Sequence, residues 1–586
     1  MTAWNLINPG YPPIALNEGV GGWWSAAYGS DVALAIDFAN NRTYQPTLRS
    51  TPTNLLTYTA PSPKMVYGDD GVLGYALHNL CLQSQTFGTS WNANLSTVTS
   101  NQTSAPDGSL TADFVVPNAS GSVNHRVDQA VTLAVAMYTY SVYAKAGGYN
   151  FLVLQSRVLA ASYAQFNLAE GTTSISGADY TSSIIDAGDG WYRCSITFMG
   201  TAASHTFDNR IFAETGLVTF AGDTVSGVYL WGAQLNAGSS ALTYIPTTTA
   251  AVYSLPIDHN PTTFDPLGVL IEEQRTNLCL YSDDFTNAAW VKTSTTAAKT
   301  ATGPDGVANS ASTLTATGAN GTALQTITSV SAARVSSAFV KRRTGTGDIE
   351  MTQDNGATWA AVTVTAGWTR VEIASATVAN PVVGFRIVTS GDEIDVALFD
   401  QEVGAFITSP IPTVASQVTR AADQTSLLTS AFGYSATAGT FVANIRFADY
   451  TAGNGRVGGI VGIGGSSPRA MLYMSAGAKR PIYGQVYDGV DFGGDFGPNF
   501  TDLAVNTEHK TAFAYEEVAG GSDALTWNGI AASSTVHANT VTLPSVGATL
   551  FVGNRPDTPN YFNGHIKSLA YWPTRKSDTY LQQVTT

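Results

Sequence analysis

Charged side chains are scarce in this sequence, and basic ones are scarcer than acidic ones. Only 12% of its 586 residues are charged, and 28 lysines and arginines are set against 43 aspartates and glutamates, which gives a net charge of −15. A protein that binds nucleic acid needs an excess of basic groups to neutralise phosphates. The composition therefore predicts no nucleic-acid partner, and it disfavours an acidic partner for the same reason.

Cysteine is almost absent, with three residues in the whole chain. Cys81 and Cys279 occupy the same position of an internal repeat that is described below, whereas Cys194 corresponds to Val371. A disulfide between Cys81 and Cys194 would leave Cys279 without the matching partner. Small core residues on strands are therefore favoured over a disulfide.

Long apolar runs and helical periodicity are missing as well. No run approaches the roughly 20 apolar residues of a membrane span, and residues 1–5 lack the basic segment of a signal peptide. We expect a product made in the cytoplasm without membrane insertion. Hydrophobic residues nevertheless reach 44% and glycines number 56. This balance is typical of many short strands joined by turns, so it predicts an all-β chain.

One stretch of the sequence occurs twice. Asn-Leu-Cys-Leu-Tyr-Ser-Asp-Asp-Phe at 277–285, followed by Trp290, matches Asn-Leu-Cys-Leu-Gln-Ser-Gln-Thr-Phe at 79–87, followed by Trp91. Four further landmarks keep their order: 105–108 and 303–306, 140–145 and 336–341, 190–193 and 367–370, and 231–235 and 399–403. Their flanks alternate apolar with polar residues, which is the period of a strand. The sequence predicts two superposable antiparallel sandwiches, with Trp191 equivalent to Trp368 and Gln234 to Gln401.

The repeats divide the chain into parts. We predict an N-terminal segment (1–74), a first repeat (75–250), a connector (251–274), a second repeat (275–413), a linker (414–434) and a third unit (435–586). The third unit alternates in short runs, with hairpin signals at Asn528-Gly529 and Asn563-Gly564. This spacing predicts a two-sheet sandwich. Ser577 is positioned to cap a final helical turn.

The repeated motifs resemble those of a known family. The sequence from 270 to Trp290, the Pro-Asp-Gly turn, and the ending from Trp231 to Ile245-Pro246-Thr247 resemble duplicated jelly-roll modules of tailed-phage fibre and head-spike proteins. Similar spikes occur on gene-transfer particles, and the modules look like carbohydrate-binding modules. The segment from Asn528 to Trp572 is similar to the concanavalin A-like, laminin G-like domain that often ends such proteins.

This resemblance implies a fold, a location and partners. The expected fold is all-β and multidomain, with two tandem jelly-roll sandwiches, a concanavalin A-like sandwich and an extended N-terminal anchor. The expected protein is a virion appendage, either a tail fibre or a head fibre, that adheres to host surface polysaccharide. Its expected partners are capsid or tail proteins, and it is expected to be a homo-oligomer, with a trimer favoured. A purely structural capsid decoration protein remains an alternative.

The N-terminal segment is rich in aromatic residues but cannot bury them by itself. Prolines and glycines interrupt Trp4, Tyr11, Trp23, Trp24 and Tyr28. Either these rings pack on a neighbouring domain or they dock on another virion protein, and exposed aromatic clusters commonly mark the second case. We therefore predict that these five residues form the virion anchor.

Catalytic chemistry finds little support in the sequence. The adjacent carboxylate pairs are Asp69-Asp70, Glu272-Glu273, Asp283-Asp284 and Glu516-Glu517. Neighbours on a strand point to opposite faces, so solvated strand edges or turns are favoured over a catalytic dyad. A glycan depolymerase that uses scattered carboxylates remains the alternative to a protein that only binds. The seven histidines show no metal-ligand spacing, so no cofactor is predicted; calcium could lie at Asp107, although an ordinary turn is favoured.

Sugar binding requires aromatic faces with polar groups around them. Trp91 and Trp290 are candidates, but their repetition favours a core role. The insertion of the first repeat carries Tyr149, Tyr163 and Tyr180, which have no counterpart in the second copy, and the hairpins of the third unit carry Trp527, Asn528, Tyr561 and Asn563. We predict that these seven residues contact glycan, and that the protein adheres to the polysaccharide without cleaving it.

Overall fold

Antiparallel strands form nearly all of the regular structure in the computed structural model. It describes residues 23–28, 31–45, 51–59, 62–121, 123–214, 217, 219–447, 457–477, 480–489, 504–536, 539–555 and 560–586. Trp4 and Tyr11 lie outside the described residues. Within these ranges, no helix has both the length and the apolar character that a membrane crossing requires.

The elements follow one another in five groups. The chain begins with α1 (Trp23–Tyr28), β1 (Leu34–Asp37), β2 (Arg42–Tyr44), α2 (Pro52–Leu55), β3 (Thr57–Thr59), β4 (Met65–Tyr67) and β5 (Leu73–Tyr75). The first repeat contains β6 (His78–Asn79), β7 (Asn92–Asn94), β8 (Ser96–Thr103), β9 (Ala112–Pro117), β10 (His125–Thr132), β11 (Met137–Gly147), β12 (Phe151–Ser156), a 3-10 turn (Arg157–Leu159), β13 (Tyr163–Asn167), β14 (Thr172–Ser176), β15 (Thr181–Gly188), β16 (Trp191–Met199), β17 (Ser204–Phe212) and β18 (Gly227–Ala237). Then come β19 (Val252–Tyr253), β20 (Ile257–His259) and β21 (Pro266–Ile271).

The second repeat and the last part complete the chain. The second repeat contains β22 (Arg275–Asn277), β23 (Val291–Thr293), β24 (Thr295–Ala301), β25 (Ala311–Ala316), β26 (Gly321–Thr326), β27 (Ala332–Thr344), β28 (Ile349–Thr352), β29 (Ala360–Val362), β30 (Thr369–Val378), β31 (Val382–Ile387), β32 (Glu393–Val403) and β33 (Val418–Arg420). The last part contains β34 (Gln424–Leu428), a 3-10 turn (Thr429–Ala431), β35 (Ala438–Phe447), β36 (Val457–Gly464), β37 (Arg469–Gly477), β38 (Arg480–Tyr487), β39 (His509–Glu516), β40 (Ser522–Trp527), β41 (Ser533–Val536), β42 (Thr549–Val552), β43 (Gly564–Trp572) and α3 (Asp578–Val584). Ser577 caps α3 as predicted, since its Oγ accepts a hydrogen bond from Tyr580 N.

Both repeats are jelly rolls. The first has sheets in the order β14-β13-β12-β17-β10-β7 and β15-β16-β11-β18-β9-β8, and the second has β23-β26-β31-β28-β29 and β24-β25-β32-β27-β30. The series β9-β18-β11-β16 corresponds to β25-β32-β27-β30, and β10-β17-β12-β13 corresponds to β26-β31-β28-β29. Two four-stranded antiparallel sheets in this order form a jelly roll. The predicted all-β fold with duplicated sandwiches is therefore confirmed, and the insertion of the first repeat supplies β14 and β15.

The strand register confirms that Trp191 and Trp368 are equivalent. Lys145 lies opposite Trp191 between β11 and β16. In the second copy Val340 lies opposite Thr369, so the preceding Trp368 takes the corresponding position, and its ring lies 5.1 Å from Lys341 Nζ.

The predicted equivalence of Gln234 with Gln401 is wrong by one residue. Gln234 lies opposite Ser141, and Asp400 lies opposite Ser337, which is the counterpart of Ser141. Gln234 therefore corresponds to Asp400. Adjacent strand residues point to opposite faces, so a match of residue type one position away does not preserve the environment.

The repeated Asn-Leu-Cys motif is a buried clamp. The Asn79 Oδ1 atom accepts hydrogen bonds from Cys81 N (3.0 Å) and Leu235 N (3.1 Å), and its Nδ2 atom donates to Ala233 O (2.9 Å) and Ile245 O (3.0 Å). One side chain thus satisfies four buried backbone groups. The clamp joins the first turn of the jelly roll to its last strand and to the segment after it.

The second copy repeats this clamp with equivalent atoms. Asn277 Oδ1 accepts from Cys279 N (3.0 Å) and Gln401 N (3.1 Å), while Nδ2 donates to Phe399 O and Ile411 O, both at 2.9 Å. The recurrence of Asn277 therefore has a structural cause.

The other repeated landmarks are core residues. Trp91 and Trp290 are buried, and their Nε1 atoms donate to Leu82 O (3.1 Å) and Tyr281 O (3.0 Å). The cysteines Cys81, Cys194 and Cys279 are free and buried. The core role favoured for the tryptophans and the absence of a disulfide are both confirmed.

The third sandwich is assembled from three separate segments of the chain. One of its sheets runs β2-β1-β43-β35-β39-β40-β41, and β20-β21 also joins it at β43; the other runs β3-β34-β42-β36-β37-β38. Strand β43 pairs with β1 along 568–571 and with β21 along 564–566. We call this unit the central sandwich. Both jelly rolls are insertions into it, so 1–74, 251–274 and 414–434 are not the independent segment, connector and linker that we predicted.

The described part of the predicted anchor packs on the central sandwich. Trp24 is buried and stacks on Tyr44 at 4.3 Å, and Tyr28 meets the edge of Trp572 at 5.9 Å. The Arg42 guanidinium lies 4.4 Å from the Trp23 ring. The docking role is therefore wrong for Trp23, Trp24 and Tyr28. Small apolar residues on the outer face of this sheet supply the partners that these rings lack locally: Ala35, Val442, Ala512, Ala514, Ala524 and Ala570.

A buried charge cluster lies where the chain passes between sandwiches. Lys64 Nζ is 2.9 Å from Glu272 and also bonds Asp423, while Arg420 lies 3.4 Å from Glu272 and 3.9 Å from Asp423. These four residues are at most 5% exposed. Tyr58 adds a 2.6 Å hydrogen bond to Asp423. Glu272 is thus neither a solvated strand edge, as we predicted, nor accessible to a substrate.

The cluster joins all three sandwiches. Lys64 lies on the path from β3 to the first jelly roll, Glu272 follows β21 at the entrance to the second, and Asp423 precedes the return strand β34. Desolvation by burial raises the pKa of Glu272, but the charges of Arg420 and Lys64 outweigh it and hold the pKa below its usual value.

We expect Asn277→Leu to destabilise the second jelly roll. It removes four hydrogen bonds and leaves two buried N–H groups and two buried carbonyls without partners, which should cost about 3–5 kcal/mol of unfolding free energy. Calorimetric unfolding measures this loss. The exposed Gln417→Leu is the matched amide control and should cost no more than about 0.5 kcal/mol. Equal losses in the two variants would contradict the clamp.

We expect Glu272→Gln to destabilise the chain by about 3–5 kcal/mol, because it leaves Lys64 and Arg420 incompletely neutralised in a buried site. The surface pair of Glu508 with Lys567 supplies the control: Glu508→Gln should cost at most about 1 kcal/mol. Denaturant unfolding compares the two.

The stability difference between wild type and Glu272→Gln should also depend on pH. Because the folded-state pKa of Glu272 is depressed, its contribution is complete above its ordinary value of 4.5 and is lost as the pH falls through the folded-state pKa. Wild type and Glu272→Gln should therefore converge in stability in acid. A difference that stays constant with pH would show that the charge of Glu272 contributes nothing.

Candidate functional site

The three tyrosines predicted in the insertion have different environments. Tyr180 is 5% exposed, and its hydroxyl accepts a 2.8 Å hydrogen bond from Ser156 N. Tyr149 is half-buried with its ring 5.2 Å from Phe220. Tyr163 is half-buried on β13. The expectation of an exposed loop side chain is therefore wrong for Tyr180, because its ring completes the core of the first jelly roll.

Two of the residues of the third unit that were predicted to contact glycan have structural roles. Trp527 is 2% exposed and stacks on His509 at 4.5 Å, so it is a core residue and not a loop contact. Asn528 is exposed and has a left-handed backbone with φ of 43°, which confirms the hairpin turn; its Oδ1 accepts from Lys510 N at 2.8 Å.

Asn563 connects the central sandwich to the second jelly roll. Its Oδ1 accepts from Glu273 N at 2.8 Å, and its Nδ2 donates to Glu273 Oε2 at 3.1 Å and to Tyr561 O at 3.2 Å. Tyr561 is half-buried beside it. The structure therefore distributes the seven predicted contact residues over two sandwiches and does not bring them into one site.

A polar surface that the sequence analysis missed lies on the first jelly roll. In the sheet β14-β13-β12-β17-β10-β7, alternate side chains such as Val127, Leu152 and Phe166 enter the core. The residues between them face outward: Arg126, Asp128, Val153, Gln155, Tyr163, Gln165, Asp208 and Arg210. With Arg157 from the turn after β12, we call this set the polar face.

The strand register arranges the polar face in rows. Asn92, Asp128, Asp208 and Gln155 lie side by side on four adjacent strands, and the next row contains Asn94, Arg126, Arg210, Val153 and Gln165. Amides, carboxylates and guanidiniums therefore alternate across the outer face of one sheet.

At the centre of the polar face, two carboxylates accept hydrogen bonds from three arginines. Asp208 is fully buried; its Oδ2 accepts from Arg210 Nε (2.9 Å) and Nη2 (2.6 Å), and its Oδ1 accepts from Arg157 Nε (2.9 Å). Asp128 Oδ2 accepts from Arg157 Nη2 (2.5 Å) and Arg126 Nε (3.3 Å). Three positive and two negative groups leave a formal local charge of +1.

The turn after β12 supplies the most exposed of these arginines. Arg157 is 37% exposed, and Gln155 holds its loop by donating to Ala160 O (3.1 Å) and Ser162 O (2.7 Å). Burial lowers the pKa of Arg157, but its hydrogen bonds and charge interactions with Asp208 and Asp128 outweigh burial and raise it. Arg157 is thus a fully charged group held by neighbours on two other strands.

The second jelly roll does not repeat this cluster. Gln129 and Gln325 are equivalent, since their Oε1 atoms accept from Leu82 N and Leu280 N in the two copies of the motif. Counting along the strands from them places Thr322 at the position of Arg126, Leu324 at that of Asp128 and Gly384 at that of Asp208.

Gly384 leaves no room for a carboxylate at its position. Its φ is 143°, and an added Cβ would lie 2.1 Å from Ala323 O. Arg386 remains at the position of Arg210, but it pairs with Glu350 and its guanidinium lies 4.3 Å from the Trp359 ring. The charged centre therefore belongs to the first copy.

The polar face has a sequence signal in the spacing of its charged residues. Arg126 and Asp128 are two residues apart on one strand, and Asp208 and Arg210 are two apart on another. That spacing places both members of each pair on one side of a sheet. The adjacent carboxylate pairs of the sequence lack this spacing, because neighbours on a strand point to opposite faces of the sheet.

Two carboxyl groups of the second jelly roll that have raised pKa values are enclosed. Burial raises the pKa of Asp400 and of Glu402, and both are 1% exposed or less. Asp400 pairs with Arg370 at 3.2 Å, and Glu402 accepts from Thr408 N at 3.2 Å. A general acid must reach its substrate, so this pair does not form an active site.

A small cleft lies between the second jelly roll and the central sandwich. Its volume is about 250 Å³, and it is lined by Val335, Glu372, Ile373, Ala374, Ser375, Ala405, Phe406, Ile407 and Asn506. It contains a single carboxylate, that of Glu372, and glycoside hydrolysis uses two.

The Asp107 loop is an ordinary turn. Its carboxylate accepts hydrogen bonds from Ser109 N at 2.9 Å and from Ser109 Oγ at 2.5 Å. Both hydrogen bonds end on Oδ1, so this oxygen of Asp107 serves the turn.

Comparisons with known proteins give only distant similarities. No protein-family model matches the chain, and no curated protein matches its sequence. It is similar to the CBM40 of Ruminococcus gnavus IT-sialidase bound to alpha2,3 sialyllactose, with 15% identity over 26% of this chain and 83% of that one, at a TM-score of 0.22. It is also similar to the CBM22-1–CBM22-2 tandem domain of Paenibacillus barcinonensis Xyn10C, with 9% identity over 59% of this chain and 100% of that one, at 0.21. Domain 4 of AbnA, an arabinanase from Geobacillus stearothermophilus in complex with arabinotriose, shows 10% identity over 31% and 84%, at 0.22. Similarities this weak carry no argument about the ligand of this chain.

Proposed function

We propose that this chain is an adhesive protein that binds polysaccharide on the polar face of its first jelly roll. The charged centre carries the proposal: three guanidiniums held by two carboxylates on the outer face of one sheet, with Tyr163 and Gln165 on the same face. Planar polar groups beside an aromatic ring suit the hydroxyls and the apolar face of a sugar.

The proposed role is adhesion without cleavage. Cleavage would need an accessible acid with a raised pKa and a second carboxylate at a suitable distance. On the polar face, Asp208 and Asp128 are instead engaged by arginines. This arrangement supports a role for both carboxylates in positioning the guanidiniums.

We also propose that the protein is a virion appendage, a tail fibre or a head fibre, and that it acts as a homo-oligomer. The resemblance of its repeated motifs to phage fibre and spike modules supports this proposal. One sugar site binds weakly, and several chains on a particle would raise the avidity by increasing the effective concentration of the second site.

We expect the purified chain to bind at least one polysaccharide on an array of bacterial surface polymers without shortening it. Tyr163→Ala should weaken that binding by about tenfold, because ring stacking on a sugar is worth roughly 1–2 kcal/mol. Tyr229→Ala is the control, since this half-buried ring stacks on Phe114 in the opposite sheet of the same jelly roll. Array binding and polymer length are the measurements.

The outcomes separate three functions. Shortened polymer whose production stops when a carboxylate is replaced would favour the depolymerase. Neither binding nor shortening would favour a purely structural decoration protein. Equal losses in Tyr163→Ala and Tyr229→Ala would place the contact surface elsewhere.

A deletion tests attachment to the particle. Removing residues 1–22 leaves α1 and its packing on the central sandwich, so we expect unchanged thermal unfolding together with loss of incorporation into particles. Removal of 1–30 is the control and should lower the unfolding temperature, because it also removes Trp24 and Tyr28, which pack on the sandwich. Normal incorporation of the 1–22 deletion would refute a virion anchor in this segment.

A further inference from the structure

We infer that the polar face selects acidic saccharides, those that carry a carboxylate, over neutral ones. The inference rests on the proposed function and names the ligand class of the same site. The overall charge of −15 predicts the reverse, because a net negative charge disfavours acidic partners. The local arrangement is what supports the inference.

Guanidinium donors remain available at the charged centre. The hydrogen bonds to Asp208 and Asp128 use Nε of all three arginines and Nη2 of Arg157 and Arg210. Among the described residues, no protein acceptor takes a hydrogen bond from Nη1 of any of the three, or from Nη2 of Arg126. Each guanidinium carries five N–H donors, so each has donors left for a ligand.

The buried carboxylate no longer offers much to a ligand. Both oxygens of Asp208 already accept from arginine nitrogens. Asp128 accepts through Oδ2 alone, so one carboxylate oxygen remains at the centre of the face, and the remaining guanidinium N–H groups outnumber it. A sugar hydroxyl both donates and accepts, whereas a carboxylate only accepts and fits the fork of a guanidinium with two parallel bonds.

The local charge balance also favours an acidic ligand. The pairs at the centre leave a formal charge of +1, and the hydrogen bonds to Asp208 and Asp128 keep the arginine side chains in place before a ligand arrives. Such preorganisation reduces the entropy lost on binding. In the second copy Arg386 is neutralised by Glu350, so the corresponding position has no charge excess.

Native and carboxyl-reduced polymers test the inference. We would measure binding of the full chain to polygalacturonate, hyaluronan and alginate, each before and after reduction of the carboxyl group to an alcohol, together with neutral dextran and galactan. At least one native polymer should bind. Reduction of its carboxyl groups should weaken that binding by about tenfold or more, which is the effect of losing a charge-assisted hydrogen bond. Added salt should weaken native binding as well.

Variants locate the effect. Arg157→Gln should weaken binding of the native polymer by about tenfold and binding of reduced or neutral polymers by a clearly smaller factor, because a hydroxyl loses a hydrogen bond without the charge attraction of a carboxylate. Arg157→Lys keeps the charge but loses the fork, so its loss should be smaller. Arg386→Gln in the second jelly roll is the matched control and should change neither. Melting temperatures confirm that the variants are folded.

Each outcome has a distinct meaning. Equal binding of native and reduced polymers, or of dextran, would overturn the selection of acidic saccharides while the adhesive function stands. Loss of acidic binding in Arg386→Gln but not in Arg157→Gln would overturn the site. Binding to no polymer in the panel would count against both proposals.

Discussion

A buried set of two positive and two negative side chains joins the three sandwiches of this chain. Lys64, Glu272, Arg420 and Asp423 come from three places that are far apart in sequence, and none of them can lose its partners without leaving a charge in a dry interior. The cluster therefore constrains the assembly. The central sandwich forms only when the segments before, between and after the jelly rolls meet, and its strand β43 pairs with β1 and β21 along one edge. Each jelly roll leaves this sandwich and returns to it beside the same cluster.

Duplication preserved the framework of the jelly rolls and changed one surface. The Asn79 and Asn277 clamps use equivalent atoms, because four buried backbone groups need the same partner in both copies. The outer face of the sheet has no such constraint. There the first copy has Asp208 and the second has Gly384, where the close approach of Ala323 excludes a side chain. Divergence in function is therefore easiest on this face, and the turn after β12 adds Arg157 to it in one copy only.

Local patterns predicted much of the fold. Alternation of apolar and polar residues located the strands of the third unit, Asn528-Gly529 marked a real hairpin, and the repeated landmarks identified two equivalent sandwiches. These signals involve neighbours in sequence, so they survive in any context. The candidate site was predicted less well. Tyr163 lies on the polar face, whereas Tyr180 and Trp527 are core residues, and Arg126, Arg157, Asp208 and Arg210 were missed. A ring in an insertion looks the same whether it faces solvent or completes a core.

The sequence by itself determined the all-β class, the duplication, the core role of Trp91 and Trp290, and the free cysteines. Only the tertiary structure decided how the parts combine. Residues 34–37 and 269–271 join the same strand near the end of the chain, and Trp24 finds its core on a sheet built mostly from the last part of the sequence. The charged centre likewise draws on β10, β17 and the turn after β12. Such pairings depend on backbone hydrogen bonds and on charges between residues far apart in sequence, and no local pattern records which distant strand will be the partner.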